Sequence, residues 1–523
     1  MYKLKILLIT GLLAEKTVIK YTKESGVETV IIALKIPVAA LLTVKQINQV
    51  LRKTDIQKVD MILVPGLVRG DTKSISDSIG VPTFKGPKYA ADLPTVLGSL
   101  DHVKLSSTIP ACIILQKELQ QKALQELETV EKNRDIFLKK PGNMLIGELA
   151  IGKDFPMRVM AEIVDAALMP NDEIQRLAKQ FVKNGAKIID VGMVAGGSRP
   201  LDAKRAVEAI KKVTDVPVSI DSLDPNEIKE AINAGADLIL SADDGNIEKI
   251  SSFASKSAMV IIPTNQRKGF FPRNIEERVA FLEAIISKAK RLGMKKIIAD
   301  LILEPTNILE SLIAYHNFQI RNPDIPIFVG ISNVTELFDA DSIGINALLA
   351  RLSSELNASI ILATEKSSKA KGTVKEEVIA SKMMYLAKKR DSVPKNLGFD
   401  LLVLKDKRRY EEVYNNEIES EINLNEVNSQ TNSIISDTHG EFRILIDRNS
   451  EKIAVLYFVN SDDIKPKNIF KGISAEKLYN KIILMKLVSR FDHAAYLGKE
   501  LAKAEIALKT GKQYIQDNPL FKK

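Results

Sequence analysis

The sequence predicts an α/β protein whose largest part is a (β/α)8 TIM barrel, preceded by a small parallel α/β domain and followed by a small α+β domain. Three observations predict this. At 523 residues, the chain suits about three domains of roughly 150 residues each. Short apolar runs alternate with amphipathic stretches over most of the chain, which indicates parallel strands covered by helices. Eight of these pairs fall within roughly 250 residues, the size and repeat number of a TIM barrel.

The N-terminal domain is expected over residues 1–140. Its first part reads strand, helix, strand, helix, strand, as KILLITG, EKTVIKYTKESG, ETVIIAL, TVKQINQVLRKT and VDMILVPG. Glycine-rich loops and the helical stretch LQKELQQKALQELETVEKNRD complete it. Because neither G-x-G-x-x-G nor G-K-[ST] follows one of these strands, we interpret the loops as ordinary turns rather than as an anion site.

The barrel is expected over residues 141–398. A hairpin, MLIGELAIGKDFP, comes first and is expected to close the N-terminal end of the barrel. Amphipathic stretches such as NDEIQRLAKQFVKNG separate the strands and are predicted to form the outer helices. The eight strands are predicted at RVMAEIVDA, AKIIDVGM, PVSIDS, ADLILSA, AMVIIPT, KKIIADLIL, PIFVGIS and ASIILAT.

The C-terminal domain is expected over residues 399–523. A polar, acidic stretch near residues 410–440 is poor in large apolar residues, which is typical of a linker. EFRILIDRNSEKIAVLYF then predicts two strands joined by a turn, and two helices rich in Lys, Ala and Leu follow. This domain contains no motif that we can connect with chemistry.

Composition narrows the range of partners. The net charge is +9, but Lys and Arg alternate with Glu along the helices and few aromatic residues are available to stack on bases. We therefore expect no nucleic-acid binding. No segment approaches the roughly 20 apolar residues that span a bilayer, which predicts a cytoplasmic protein without a membrane partner. The single cysteine, Cys112, excludes an intramolecular disulfide and a cysteine-based metal cluster.

The polar residues at the ends of the barrel strands form the candidate site, because TIM-barrel active sites lie at the C-terminal ends of the strands. Carboxylates and amides dominate this set. None of the four histidines lies at a strand end, so we expect neither a histidine-based metal site nor a Ser-His-Asp triad. In chain order the set is Glu162, Asp165, Asp190, Asp221, Ser222, Ser241, Asp243, Thr264, Asn265, Asp300, Ser332, Asn333, Glu365 and Lys366.

Acids and amides at a barrel mouth suit a flat heterocycle with an amino-pyrimidinone edge. One carboxylate can accept two neighbouring N–H groups from such an edge, as it does from arginine. Asp221 and Asp300 would face each other across the barrel and hold opposite ends of the ring. Asp221 could instead cap the next helix, but Asp224 is better placed to do so. Asp300 lies in an apolar stretch, where an unpaired charge costs several kcal/mol, so it needs a function or a buried partner.

Four segments, NGAKIIDVG, VPVSIDS, NAGADLIL and KKIIADLILEP, resemble in order and spacing the pterin-binding barrel shared by dihydropteroate synthases and methyltetrahydrofolate:corrinoid methyltransferases. The resemblance covers about residues 155–385. The three-part architecture resembles more closely the archaeal dihydropteroate synthase-related proteins. The resemblance implies that Asp221 and Asp300 bind the pyrimidine edge of a pterin. Further candidate contacts at the strand ends are Glu162, Asp165, Asp190, Ser241, Ser332 and Asn333.

One loop resembles the synthases. VAGGSRPLD, after the second strand, is similar to the mobile loop with which synthases gather the aminobenzoate substrate, and its Ser-Arg-Pro begins at Ser198. Arg199 of this loop is therefore a candidate catalytic cation. Lys366, at the end of the eighth strand, is a second one, although each is also explained as a solvated surface charge. The serine-arginine-lysine run that synthases carry on the seventh strand is missing, because residues 331–333 are Ile, Ser and Asn.

Another segment, GISNVTELFDADSIGINALL, resembles the methyltransferases, whose seventh strand reads G-[LV]-S-N-V-S. A methyl group leaves N5 of a reduced pterin only if N5 gains a proton or a hydrogen bond. The neutral amide of Asn333 suits that task, which makes Asn333 a candidate catalytic residue. Leu240 stands where both branches usually place an asparagine, so Asp243 or Asp244 would have to replace that contact.

Three hypotheses remain. The first is an enzyme of folate- or methanopterin-type metabolism that uses a reduced pterin of the tetrahydrofolate or tetrahydromethanopterin type. It would join the pterin to an arylamine, with Mg2+ accompanying a diphosphate substrate, or transfer a methyl group to a corrinoid protein. The second is a non-catalytic pterin-binding protein, and the third is a barrel of another class. A homodimer through the barrel is also expected, and no metal held by protein side chains.

Overall fold

The computed structural model describes residues 4–521 except 24, 55, 57, 406, 408–436 and 461. The chain divides into two compact units. One comprises Met1–Asn143, Ala150–Met157 and Ile379–Asn425, and the other Met144–Leu149, Arg158–Val378 and Glu426–Lys523. Most of the expected polar linker lies outside the described residues, and the three domain boundaries stay predictions. Among the helices that the structure describes, none is long and apolar enough to cross a bilayer.

The first unit contains a four-stranded parallel sheet. Its strands are β1 (Lys5–Gly11), β2 (Glu28–Leu34), β3 (Met61–Val64) and β4 (Thr83–Lys85), in the order β2-β1-β3-β4. Its helices are α1 (Glu15–Lys23), α2 (Val44–Leu51), α3 (Lys73–Ile79), α4 (Leu93–Leu97), α5 (Ala111–Lys132) and α6 (Arg134–Phe137). The predicted parallel α/β fold is confirmed. Strand β4 was not predicted, because it has only three residues between turns.

The apolar residues of β1 explain why this sheet forms. Leu7 and Ile9 pack into one buried cluster, and Ile6 and Leu8 pack into another. Successive side chains of a strand point to opposite faces of the sheet. The continuous apolar run of β1 therefore has both faces covered, as is typical of a parallel sheet.

The second unit contains a closed barrel of eight parallel strands. Each strand lies within one of the eight predicted segments, so the predicted TIM barrel is confirmed. The strands are β7 (Arg158–Ile163), β8 (Ile188–Gly192), β9 (Val218–Asp221), β10 (Leu238–Ala242), β11 (Ala258–Ile261), β12 (Ile297–Ala299), β13 (Ile327–Val329) and β14 (Ala358–Thr364). The preceding β5 (Asn143–Ile146) and β6 (Leu149–Gly152) pair as a two-stranded sheet where the hairpin was predicted.

Helices follow the barrel strands, and the predicted amphipathic stretch NDEIQRLAKQFVKNG forms the first of them. They are α7 (Asn171–Asn184), α8 (Pro200–Lys211), α9 (Pro225–Asn233), α10 (Ile247–Ala254), α11 (Ile275–Arg291), α12 (Ile308–Arg321), α13 (Ser332–Thr335), α14 (Ser342–Glu355) and α15 (Thr373–Lys389). The predicted seventh strand was too long. Strand β13 ends at Val329, and Ser332 already begins α13, so Ser332 and Asn333 lie in a helical turn rather than at the end of a strand.

The C-terminal part of this unit is an antiparallel sheet with two helices. Its elements are β15 (Glu441–Asp447), β16 (Lys452–Phe458), β17 (Asn468–Gly472), α16 (Ala475–Leu484) and α17 (Phe491–Thr510). Ile444 and Val455 of the sheet pack with Leu497 and Leu501 of α17. The predicted hairpin and helices are confirmed, whereas β17 was not predicted.

Candidate functional site

The register of the first three barrel strands brings acidic side chains together. Glu162 on β7 pairs with Asp190 on β8, and Asp190 pairs with Ser219 on β9. Two residues further along, Gly192 pairs with Asp221. Because residues i and i+2 of a strand point to the same side, these five positions form two successive layers inside the barrel.

Glu162, Asp190 and Asp221 form a carboxylate cluster: one oxygen of each lies within 4.8 Å of the others. The Ser219 hydroxyl donates to Asp190 Oδ1, and the Thr364 hydroxyl donates to Glu162 Oε2 at 2.9 Å. Asp190 is fully buried. The carboxylate cluster is therefore a built feature of the barrel interior rather than a group of surface acids.

The three carboxyl groups of the carboxylate cluster hold their protons more tightly than ordinary carboxyl groups do. Burial, together with the nearby Asp221 and Glu162 carboxylates, raises the pKa of Asp190 well above its ordinary value. Burial and the charges of Glu162 and Asp300 raise the pKa of Asp221 to about 7, and burial raises the pKa of Glu162. Near neutral pH, binding of protons, hydrogen-bond donors or a cation would therefore stabilise these three groups.

Asp300 has the buried partner that its sequence context requires. It lies just after β12 and is 7% exposed. Its Oδ1 accepts hydrogen bonds from the backbone N–H of Ile302 at 2.8 Å and from the hydroxyl of Tyr315. Burial raises the pKa of Asp300 to about 6, although both hydrogen bonds and the nearby Arg278 oppose that rise. Sequence analysis missed Tyr315, because nothing links a helical tyrosine to a strand-end acid 15 residues away.

Asp221 does not cap the helix that follows its strand, and its role as a pterin ligand stays a prediction. Asp224, not Asp221, caps α9, since its carboxylate accepts from the backbone N–H of Asn226 at 2.6 Å. The Asp221 carboxylate accepts no hydrogen bond from any residue that the structure describes. The charge of Asp300 contributes to the raised pKa of Asp221, and the assignment of the two carboxylates to opposite ends of a pterin ring stays a prediction.

The two candidate catalytic cations are both paired with carboxylates. Lys366 Nζ lies 2.9 Å from Asp165 Oδ2, and its side chain is 63% exposed. The guanidinium of Arg199 lies 3.8 Å from Asp202, while the Arg199 backbone N–H donates to Glu227 at 2.7 Å. The structure thus brings Asp165 together with Lys366, and the catalytic roles of Arg199 and Lys366 stay predictions.

The residues of the seventh and fourth strand ends have different environments. Ser332 is buried, and its hydroxyl oxygen accepts from the backbone N–H of Thr364 at 2.6 Å, which ties α13 to β14. Asn333 is exposed and its amide lies against Gly330, where a Cβ would approach Asn333 Nδ2 to 2.8 Å. Ser241 is buried in β10. Their roles as pterin contacts stay predictions.

The carboxylates of Asp243 and Asp244 already have partners in the chain, and the replacement by either of the asparagine contact missing at Leu240 stays a prediction. Asp244 forms an ion pair with Lys288 at 3.0 Å. Asp243 is buried and organises the loops that follow β10 and β11. Its carboxylate accepts hydrogen bonds from the backbone N–H groups of Gly245, Asn246 and Gln266 and from the hydroxyl of Thr264.

Three family models match successive parts of the chain. The model described as pterin binding enzyme matches residues 164–370. A family of unknown function, DUF6513, matches residues 4–88. The model PterinBD-DUF4346 matches residues 436–517. The barrel model covers most of the strand ends described above.

The chain is also similar to individual proteins. The uncharacterized protein MJ0107 of Methanocaldococcus jannaschii is 39% identical over an alignment 532 positions long, which covers 99% of this chain and 99% of MJ0107. A dihydropteroate synthase of Clostridium beijerinckii is 29% identical over 173 residues, 29% of this chain and 63% of the synthase. A solved Yersinia pestis dihydropteroate synthase with a pterine-sulfa conjugate is 19% identical, with a TM-score of 0.39. The superposition covers 47% of this chain and 99% of the synthase chain.

Proposed function

Because the chain belongs to the dihydropteroate synthase-related family of pterin-binding proteins that includes MJ0107, we propose that its barrel binds a reduced pterin and joins it to an arylamine. The reaction would serve folate- or methanopterin-type metabolism and take place in the cytoplasm. The observation that supports the proposal best is the pair formed by Asp221 and Asp300. The two carboxylates are close enough for the charge of Asp300 to raise the pKa of Asp221. A homodimer through the barrel remains part of the proposal.

The geometry of Asp300 supports recognition of an amino-pyrimidinone edge. Tyr315 and the Ile302 backbone hold Oδ1, and no described residue donates to Oδ2. Asp221 has neither oxygen engaged by the described residues. Two carboxylates with free oxygens can each accept N–H groups of a pterin ring, and such charge-assisted bonds are roughly twice as strong as neutral ones.

The condensation sets further requirements. The amine nitrogen forms a bond to the methylene carbon of the pterin, the C–O bond to diphosphate breaks with its electron pair leaving on the diphosphate, and the amine loses one proton. We assign Arg199, in the loop before α8, to the arylamine, and Lys366 to the leaving anion. Mg2+ that enters with the diphosphate would supply additional positive charge.

Methyl transfer is the second candidate, and one observation favours it. The side-chain amide of Asn333 is exposed and makes no hydrogen bond with the described part of the chain. It is therefore available to hydrogen-bond N5 of a methyl-tetrahydropterin while the methyl group passes to a corrinoid protein. A pterin-binding protein without catalysis is the third possibility.

Titration of the purified chain with reduced pterins, followed by pterin fluorescence, tests the proposal. Binding at micromolar concentration is expected, and no binding at millimolar pterin with the fold intact would overturn it. The reaction is then tested with 6-hydroxymethyldihydropterin diphosphate plus an arylamine, and separately with methyl-tetrahydropterin plus a cob(I)amide acceptor. Product in the first mixture supports condensation. Product only in the second assigns methyl transfer, and binding without product in either assigns the non-catalytic role.

A further inference from the structure

Arg278 is not one of the strand-end residues, yet it contacts the segment that carries Asp300. It belongs to α11, and its side chain is 4% exposed. Its guanidinium forms an ion pair with Glu304, and Nη1 donates to the carbonyl oxygen of Ile302 at 3.5 Å. A buried arginine requires partners for its charge and its N–H groups. Two of these partners lie within residues 300–304, here named the Asp300 segment.

The Asp300 segment has a strained backbone. Ile302 has a φ of 64°, in the left-handed region that a β-branched residue rarely adopts. Such a conformation persists only where the surrounding structure holds it. The Ile302 N–H donates to Asp300 Oδ1 at 2.8 Å, and the Ile302 carbonyl accepts from Arg278. The conformation that orients Asp300 therefore depends on contacts from outside the segment.

Two neighbouring helices supply those contacts. From α12, Ser311 Oγ accepts the backbone N–H of Glu304 at 3.1 Å, and Tyr315 donates to Asp300. From α11, Arg278 Nη1 also lies 3.4 Å from Ser311 Oγ. Arg278 therefore connects α11 with α12 as well as with the Asp300 segment.

Packing alone does not account for an arginine at residue 278. Its Nε atom is buried and donates to no residue that the structure describes, and an unsatisfied buried donor is destabilising. Phe271 lies against the guanidinium, with Cζ 4.9 Å from the ring centroid. An apolar side chain could fill the space beside Phe271 without that cost. The arginine adds a planar group that reaches Ile302 and Glu304 together.

The charge of Arg278 acts on Asp300 as well. Burial raises the pKa of Asp300, and the nearby Arg278 opposes that rise together with the two hydrogen bonds to Oδ1. Arg278 therefore favours the ionised carboxylate, which accepts N–H groups more strongly than a neutral carboxyl does. Its contacts and its charge both affect the same residue.

We propose that Arg278 is a positioning residue, which holds the Asp300 segment and thereby orients the Asp300 carboxylate with Oδ2 towards a bound ligand. For a pterin ligand, this role rests on the proposed function. The hold on the Asp300 segment does not depend on which ligand binds. It can therefore be measured without one.

Hydrogen exchange of the full chain without ligand tests this hold. Peptides that cover residues 300–304 should exchange about tenfold faster or more in Arg278→Met, because the Ile302 N–H loses a fixed acceptor. Arg278→Lys keeps the charge but not the planar fork, so its exchange should also be faster than that of wild type. If Arg278→Met does not fold, Arg278→Lys provides the comparison. Arg390→Met, which removes an arginine–glutamate pair in the other compact unit, should exchange as wild type does.

Titration with a reduced pterin tests the consequence for the ligand. Arg278→Met and Arg278→Lys should each weaken binding about tenfold, whereas Arg390→Met should bind as tightly as wild type. In the Asp300→Asn background, either substitution at Arg278 should cause little further loss, because its effect passes through Asp300. A purely structural arginine would weaken binding by the same factor in both backgrounds.

Unchanged exchange of residues 300–304 in the Arg278 variants would overturn the proposal. Wild-type exchange and affinity in Arg278→Lys would also overturn it, since the charge alone would then suffice. Equal losses of affinity with and without Asp300→Asn would show that Arg278 acts independently of Asp300. If wild type binds pterin and the Arg278 variants bind it equally well, only the positioning role fails. If wild type binds no pterin but exchange is faster in the Arg278 variants, the hold on the Asp300 segment is supported and only the proposed function fails.

Discussion

Tyr315 donates its phenolic hydrogen to Asp300 Oδ1 beneath the mouth of the barrel. Tyr315 is fully buried and Asp300 is 7% exposed. The hydrogen bond opposes the rise in the pKa of Asp300 that burial causes. Tyr315 therefore keeps a larger fraction of Asp300 ionised near neutral pH, in the form that can accept N–H groups from a ligand.

Tyr315→Phe is expected to weaken pterin binding at pH 7 by about tenfold or more, since a hydrogen bond to a charged group contributes about 1.5–3 kcal/mol. The loss should shrink as the pH rises, because Asp300 ionises fully at higher pH even without the tyrosine hydroxyl. Fluorescence titrations at pH 6, 7 and 8 measure both effects. Tyr457→Phe, in the C-terminal sheet, serves as the control, and equal losses in both variants would contradict the prediction.

The pKa of Asp300, about 6 in the folded protein, predicts a pH dependence of stability. The folded state holds this proton more tightly than the unfolded state, whose pKa is about 3.9. The free energy of unfolding should therefore fall as the pH rises from about 4 to about 6 and stay level above that. Asp300→Asn should remove this part of the slope, on the order of 2 kcal/mol, in denaturation curves at pH 4.5, 6 and 8. An unchanged slope would argue against a raised pKa.

The sequence was sufficient for the barrel and for its acidic lining, because both depend on local patterns. Apolar runs identify the strands, and the first polar residue past each run identifies the mouth. Ser219 and Gly192 could also have been found, since each lies two residues from a predicted acid on the same face of its strand. Tyr315 could not, because its contact with Asp300 depends on how α12 packs against the barrel. The helical start at Ser332 was missed because a glycine turn and a strand end have similar compositions.

Asp221→Asn and Asp300→Asn are each expected to weaken pterin binding about thirtyfold or more, because an amide replaces one acceptor oxygen with an N–H donor. The remaining amide oxygen is neutral, and its single hydrogen bond cannot offset the repulsion between facing N–H groups. Glu500→Gln is the matched control, since it neutralises a buried carboxyl of α17, outside the barrel. Affinity that survives in both aspartate variants would place the pterin elsewhere.

Asp243→Ala should destabilise the barrel, because Asp243 has a structural role in the loops at its mouth. It removes an acceptor of four hydrogen bonds from the loops that follow β10 and β11 and leaves their donors unsatisfied. A loss of about 3 kcal/mol in the unfolding transition of the barrel is expected in urea. Asp339→Ala is the control, because the ion pair of the fully exposed Asp339 with Lys369 should contribute little to stability. Similar midpoints for both variants would contradict a structural role for Asp243.

Arg199→Ala distinguishes the synthase assignment of the loop before α8 from a structural role. The substitution keeps the backbone N–H that donates to Glu227, and the exposed pair with Asp202 contributes little stability. If Arg199 positions the arylamine, the KM for arylamine should rise about tenfold or more while pterin affinity and the melting temperature stay constant. Arg176→Ala, which removes an exposed arginine of α7 with a similar carboxylate contact, should change none of these quantities. An unchanged KM for arylamine in Arg199→Ala would leave this loop without a catalytic role and would favour methyl transfer through Asn333.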